Sequence, residues 1–100
     1  MIRLFAIGLL PLAFAASAAD PLAEARAAYA RGDFTNTISH ATNSIAKNPW
    51  QEDSRVLHIR GLMAQGQFAE AHTVTTNAMA KLASSVRVRW MAHEVFHFNN

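Results

Sequence analysis

A chain of 100 residues holds one small domain at most, and with a formal net charge of +2 and 16% charged residues it lacks the dense basic surface that nucleic-acid binding requires. It contains no cysteine, which excludes a disulfide framework and lipidation at a cleavage-site cysteine.

Residues 1–19, MIRLFAIGLLPLAFAASAA, carry one early cation, Arg3, then an apolar run from Leu4 to about Ala15, and close in small residues, Ala16-Ser17-Ala18-Ala19. This is the pattern of a secretory signal peptide. An uncleaved anchor is the alternative, but the apolar run is short of the roughly 20 residues a spanning helix needs and Pro11 interrupts it. The expected product is exported, periplasmic or secreted, with no stable membrane span after cleavage. Removing Arg3 with the leader leaves eight Lys or Arg against seven Asp or Glu, a net charge of +1 that names no partner.

The remaining chain, 20–100, reads as helices throughout. Asp20 is placed to cap a first helix with Pro21 in its first turn, running to about Arg31, and Gly32 supplies a tight turn. Phe34, Ile38, Ala41 and Ile45 then fall at spacings of helical period, and Asn48-Pro49 ends that helix. A third helix is predicted from about Glu52 to Gln65, with Val56, Leu57, Ile59, Leu62 and Met63 inward. Gly66 turns the chain into a fourth, Phe68 to about Leu82, with Ala71, Thr75, Ala78, Met79 and Leu82 inward. Ser84-Ser85 are candidate caps for a fifth helix from about Val86.

Two of these segments align without a gap. Gly32 pairs with Gly66, Phe34 with Phe68, Ile45 with Met79, and Lys47 with Lys81, all at one constant interval. That interval matches the period of helix-turn-helix repeats, about 34 residues. Ala28-Tyr29 with Gly32-Asp33-Phe34 and Pro49, and again Gly61-Leu62-Met63 with Gly66-Gln67-Phe68-Ala69-Glu70-Ala71, resemble the tetratricopeptide repeat. The second unit is the closer match. In the first, Thr37 and Ser44 stand where the family has small alanine-like positions, and Pro21 and Glu24 replace its first-helix Trp and Leu.

The resemblance implies an all-α fold of antiparallel helix pairs in a short right-handed solenoid: unit one over 20–50, unit two over 51–84, and the first helix of a third unit over 85–100. It also implies a non-enzymatic scaffold that binds a peptide or helix of another protein on its concave face. Carried over residue by residue, that face comprises Leu22, Arg26, Tyr29, Asp53, Val56, Arg60, Met63, Arg87, Trp90, Glu94 and His97. Arginines beside exposed aromatic and Met side chains suit a peptide of acidic and apolar residues; alternatively, Trp90 and Met63 simply pack against a neighbouring repeat.

A competing reading lies in the last helix. His93-Glu94-Val95-Phe96-His97 has the form H-E-x-x-H, which on a helix puts two imidazoles on one face to hold zinc and leaves a carboxylate as general base. Catalytic zinc needs three protein ligands, and only Phe98, Asn99 and Asn100 follow His97. The repeat register explains the helix without a metal: it sets Phe96 in the place of Leu62 and a turn at Asn100, and Trp90, Met91, Val95, Phe96 and Phe98 supply the apolar surface. No cofactor is therefore expected, with zinc at His93 and His97 as the alternative and a metallopeptidase fragment as its enzymatic form. A fifth helix without a return helix is left half covered, so the expectation is either self-association through it or that the chain is a fragment of a longer repeat protein.

Overall fold

The computed structural model describes residues 20–99, so the leader expected over 1–19 and the turn expected at Asn100 lie outside the described residues. Five helices account for nearly all of them: α1 Pro21–Ala30, α2 Phe34–Lys47, α3 Glu52–Ala64, α4 Phe68–Lys81 and α5 Val86–Phe98. No strand occurs among the described residues, and none of their helices is long and apolar enough to cross a membrane. Each helix packs against the next, and α3 also packs against both α1 and α5.

The boundaries follow from capping chemistry. Asp20 accepts a hydrogen bond from the Leu22 amide, Asp33 from the Asn36 amide, and Ser85 from the Val88 amide, each satisfying a donor that the first turn leaves without an intrahelical partner. The expected ends at Arg31, Gln65 and Leu82 prove to be the C-cap residues one position beyond each helix.

The two glycine turns have the same construction. Gly32 and Gly66 both have φ of +77°, a backbone state that costs residues with a Cβ about 1 kcal/mol. Gly32 N–H donates to the Tyr29 carbonyl and Asp33 N–H to Ala28; Gly66 N–H donates to Met63 and Gln67 N–H to Leu62. These are the paired bonds of a Schellman cap, and the second set repeats the first one full repeat interval further along the chain.

The larger core cluster joins Val56, Ile59 and Leu62 of α3 to Ala71 and Ala78 of α4 and to Val88, Met91 and Val95 of α5. A smaller one gathers Leu22, Ala25, Ala41 and Leu57, with Tyr29 packed against it. In α2 the buried stripe is Thr37, Ala41 and Ser44 rather than the expected large residues; Phe34, Ile38 and Ile45 are half-buried beside it. Small side chains at the seam let α2 lie close to its neighbours. A Cβ added to Gly61 of α3 would come within 2.8 Å of Ile38 Cγ1, so the two helices approach where α3 has no side chain.

Burying Ser44 requires partners for its hydroxyl. Ser44 Oγ and Ser54 Oγ lie 2.6 Å apart, and both hydroxyls donate to Gln51 Oε1, at 3.0 and 2.8 Å. The corresponding corner between α4 and α5 has Ala78 and Val88 instead, and is apolar. Thr75, fully buried in α4, has no hydrogen-bond partner for its hydroxyl among the described residues.

The fifth helix departs most from expectation. Its buried residues are Val88, Met91, Ala92 and Val95, while Phe96 is half-buried and Trp90 and Phe98 are exposed. The inward face is therefore the one equivalent, a repeat earlier, to Ser54, Leu57, His58 and Gly61, the side of α3 turned toward the preceding helices. The side equivalent to Val56 and Ile59 is uncovered.

Candidate functional site

Placing the expected groove residues on this frame separates them into two surfaces. Arg26 from α1, Asp53 and Arg60 from α3, and Arg87 from α5 line one open hollow of about 310 Å³, floored by Val56 and Leu57. Their convergence follows from chain geometry: α3 packs on α1 on one side and α5 on the other, and the three helices bring forward residues at related positions of their period.

The charges in the hollow are paired in series. Arg26 Nη2 donates to Asp53 Oδ2 at 2.6 Å, and Arg87 Nη1 donates to the other oxygen of Asp53 and to Glu52 Oε1 at 3.3 Å. A hydrogen bond from Arg87, reinforced by its charge and by Arg26, holds the Asp53 carboxyl below the usual carboxylate range, against the opposing effect of its partial burial. Each arm is solvent-exposed and contributes about 0.5 kcal/mol at most to stability. Their effect is mainly positional, tying α1, α3 and α5 together at one surface.

Arg60 is different. It is exposed, lines the same hollow, and no carboxylate lies within ion-pair distance of it among the described residues. The hollow therefore presents one cation that these residues do not neutralise, beside the apolar side chains of its floor.

Leu22 and Val56 are corrected: both are core residues, at 5% and 2% exposure. Leu22 packs with Ala25, Ala41 and Leu57, and Val56 reaches only the floor of the hollow, so neither projects into solvent as a groove residue would. Tyr29 and Met63 are half-buried. Tyr29 packs on Phe34, with ring centroids 5.6 Å apart, and Met63 on the larger core. Trp90, Glu94 and His97 are exposed on α5, and Trp90 belongs to a second hollow.

That second hollow, about 330 Å³, is lined by Val86, Arg89, Trp90 and His93. Arg89 donates from Nε and Nη2 to the Ala83 carbonyl, at 3.1 and 2.6 Å, which fixes its guanidinium at the base of the helix. His93 meets the Trp90 indole edge-on at 6.4 Å, and His97 meets Phe98 similarly at 6.2 Å. Of this surface the resemblance places only Trp90 in solvent; Val86 looks like an ordinary member of an apolar helix face, and the position of the buried set, Val88 to Val95, shows that it points away.

The two histidines of the HEVFH segment thus stand in solvent one helical turn apart. No group of three His, Cys, Asp or Glu side chains gathers to hold a metal among the described residues. His58 is the histidine with a distinct environment: largely buried in α3, it is pushed below its ordinary pKa by desolvation, with Glu70 opposing and Arg55 adding to the shift.

No family model matches the chain, and neither does any curated protein or any solved structure.

Proposed function

We propose that this chain is an exported, non-enzymatic scaffold of the tetratricopeptide-repeat type, made after leader removal of two helix pairs and the first helix of a third in a short right-handed solenoid. Its partner is a peptide or helix of another protein, held on the face shared by α1, α3 and α5. The repeat assignment is supported by the two Schellman turns of identical bonding, spaced by one repeat interval, and by the serial packing of α1, α3 and α5.

The observation that carries the binding reading is the hollow of Arg26, Asp53, Arg60 and Arg87, in which Arg60 has no acidic partner among the described residues. An acidic side chain of a partner would complete it, with apolar neighbours on Val56 and Leu57. A random peptide library panned against the purified chain tests this. Selected peptides should combine Asp or Glu with apolar residues, and Arg60→Glu should weaken them roughly tenfold, about 1.4 kcal/mol. Peptides without acidic residues, or binding indifferent to Arg60→Glu, would exclude this hollow as the site.

The second reading, zinc at His93 and His97, is favoured by one observation: both imidazoles are exposed at i and i+4 of one helix. Metal analysis of the purified chain decides it. Stoichiometric zinc lost in the His93→Ala, His97→Ala double variant would establish that site.

A further inference from the structure

We propose that copies of this chain associate head to tail, the open face of α5 in one copy receiving the outer face of α1 in the next. The proposal is separate from the peptide-binding reading and uses different residues.

The molecule itself shows what covers such a face. In α3, Val56 and Ile59 are buried in one cluster with Ala71 and Ala78 of α4 and Val88, Met91 and Val95 of α5, and the inward stripe of α4 is Ala71, Thr75 and Ala78, spaced four and then three residues apart. In α1, Leu22 and Ala25 are buried under α2, whose stripe is Thr37, Ala41 and Ser44, at the same spacing. A helix with small side chains in that pattern lets larger residues of its neighbour seat against its backbone.

The positions of α5 equivalent to Val56 and Ile59 are Trp90 and His93, and both are exposed; Trp90 is 68% accessible and Val86, one turn earlier, 67%. An apolar ridge of this kind is an interaction surface when a complementary stripe exists. One does, at the other end of the helix series. Ala23, Ala27 and Ala30 of α1 are all exposed, and their spacing is again four and then three. The outer face of α1 repeats in alanine the pattern that α2 and α4 use inside the fold.

Charges beside the two faces agree. Among the described residues, Arg89, anchored on the Ala83 carbonyl at the α5 hollow, has no carboxylate partner, and Glu24, next to the alanine stripe, has no cationic one. The other cations near the α1 face are engaged, Arg26 with Asp53 and Arg31 with Asp33. An Arg89–Glu24 pair between copies would satisfy both. Because the two faces differ and lie on the first and last described helices, the contact is heterologous and propagates rather than closing as a twofold dimer.

Mixing separates this from every symmetric alternative. Trp90→Glu blocks the α5 face and Ala27→Glu the α1 face; both sites are exposed, and far-ultraviolet circular dichroism checks that the helices are retained. In sedimentation velocity the unaltered chain should grow in mass with concentration, each variant alone should be monomeric, and an equimolar mixture should form a one-to-one heterodimer. Growth by Ala27→Glu equal to that of the unaltered chain would show pairing of α5 with itself and overturn the proposal. So would a mixture that stays monomeric, or an unaltered chain monomeric at every concentration. Should either glutamate variant unfold, charge reversal serves instead: Glu24→Arg or Arg89→Glu should weaken association roughly threefold, and combining the two should restore it. Failure of the double variant to recover would overturn the pairing as well.

Discussion

Helices α3 and α5 are equal in length and their sequences align at the interval that separates Gly32 from Gly66, yet their surroundings are opposite. Helix α3 is covered on both sides, by α1 and α2 before it and by α4 and α5 after it. Helix α5 is covered on one. The same position is therefore isoleucine at 59, with no exposed surface, and histidine at 93, in solvent. Burial tracks the neighbours a helix has, even where the side chain stays apolar, as at Val56 and Trp90.

Substitutions at paired positions test this contrast. Ile59→Ala should destabilise the fold by about 3 kcal/mol, through lost apolar burial and the cavity left between α3 and α4, whereas His93→Ala should change stability by less than about 0.5 kcal/mol. Urea denaturation followed by circular dichroism measures both. Similar losses at the two sites would mean that α5 is covered on its outer side as α3 is.

The corners between units give the next contrast. Ser54→Val imposes on the α2–α3 corner the valine that Val88 provides between α4 and α5, but removes the hydroxyl that meets both Ser44 and Gln51 and leaves only the Ser44–Gln51 bond; a loss of about 1–2 kcal/mol is expected. Adding Ser44→Ala, which completes the apolar pair, should recover part of it. If the two losses simply add, the hydroxyls and Gln51 do not act as one network.

Titration distinguishes the histidines. His58 is depressed by burial in the folded chain, so the unfolded chain binds its proton more readily, and stability must fall as pH drops below the ordinary histidine value of about 6.5 and on through the folded pKa. Full stability from this group is present above that value. His58→Asn should flatten the acid-side slope in urea midpoints measured across this range.

The smallest expected effect is a gain. Thr75→Val keeps the shape of the fully buried side chain and removes a hydroxyl with no partner among the described residues, which should raise stability by about 1 kcal/mol. Position 41, its equivalent in α2, is already alanine.

How much of this was legible in the sequence can be judged from the same helices. Asp20, Gly32, Gly66, Asn48-Pro49 and Ser85 mark ends, and the helices begin and stop beside them, because caps and left-handed turns are local chemistry. The inward face of α3 is also readable, since large apolar residues stand in period there; in α4 the expected Ala71, Thr75 and Ala78 are buried, while Met79 and Leu82 are half-buried. In α2 periodicity favours Phe34, Ile38, Ala41 and Ile45, of which Ala41 is fully buried, while Thr37 and Ser44, polar residues that periodicity passes over, complete the buried stripe. In α5 nearly every position but the charged ones is apolar or aromatic, so periodicity cannot choose a face. Packing against α3 and α4 chooses it, turning Val88, Met91 and Val95 inward and Trp90 outward.

The groove was legible only in part. Arg26, Asp53, Arg60 and Arg87, carried over from the tetratricopeptide resemblance, lie together in one hollow, whereas Leu22 and Val56, carried over with them, are core residues, Val56 reaching only the hollow's floor. A register gives the helix face to within one residue, about 100°, and that step separates a solvated side chain from a buried one.

Gly61 sets a limit on modularity. It admits Ile38 at the first corner, but the positions one Gly32–Gly66 interval further along are Val95, fully buried, and His72, exposed, whose imidazole packs on Phe96 at 4.7 Å. The two corners are keyed by different pairs of shapes. Lengthening the protein by tandem copying of its second unit would bring a copy of Gly61 against His72, a mismatched key. Each corner must be redesigned with both of its helices, and the chain is better treated as a set of individually fitted joints than as interchangeable blocks.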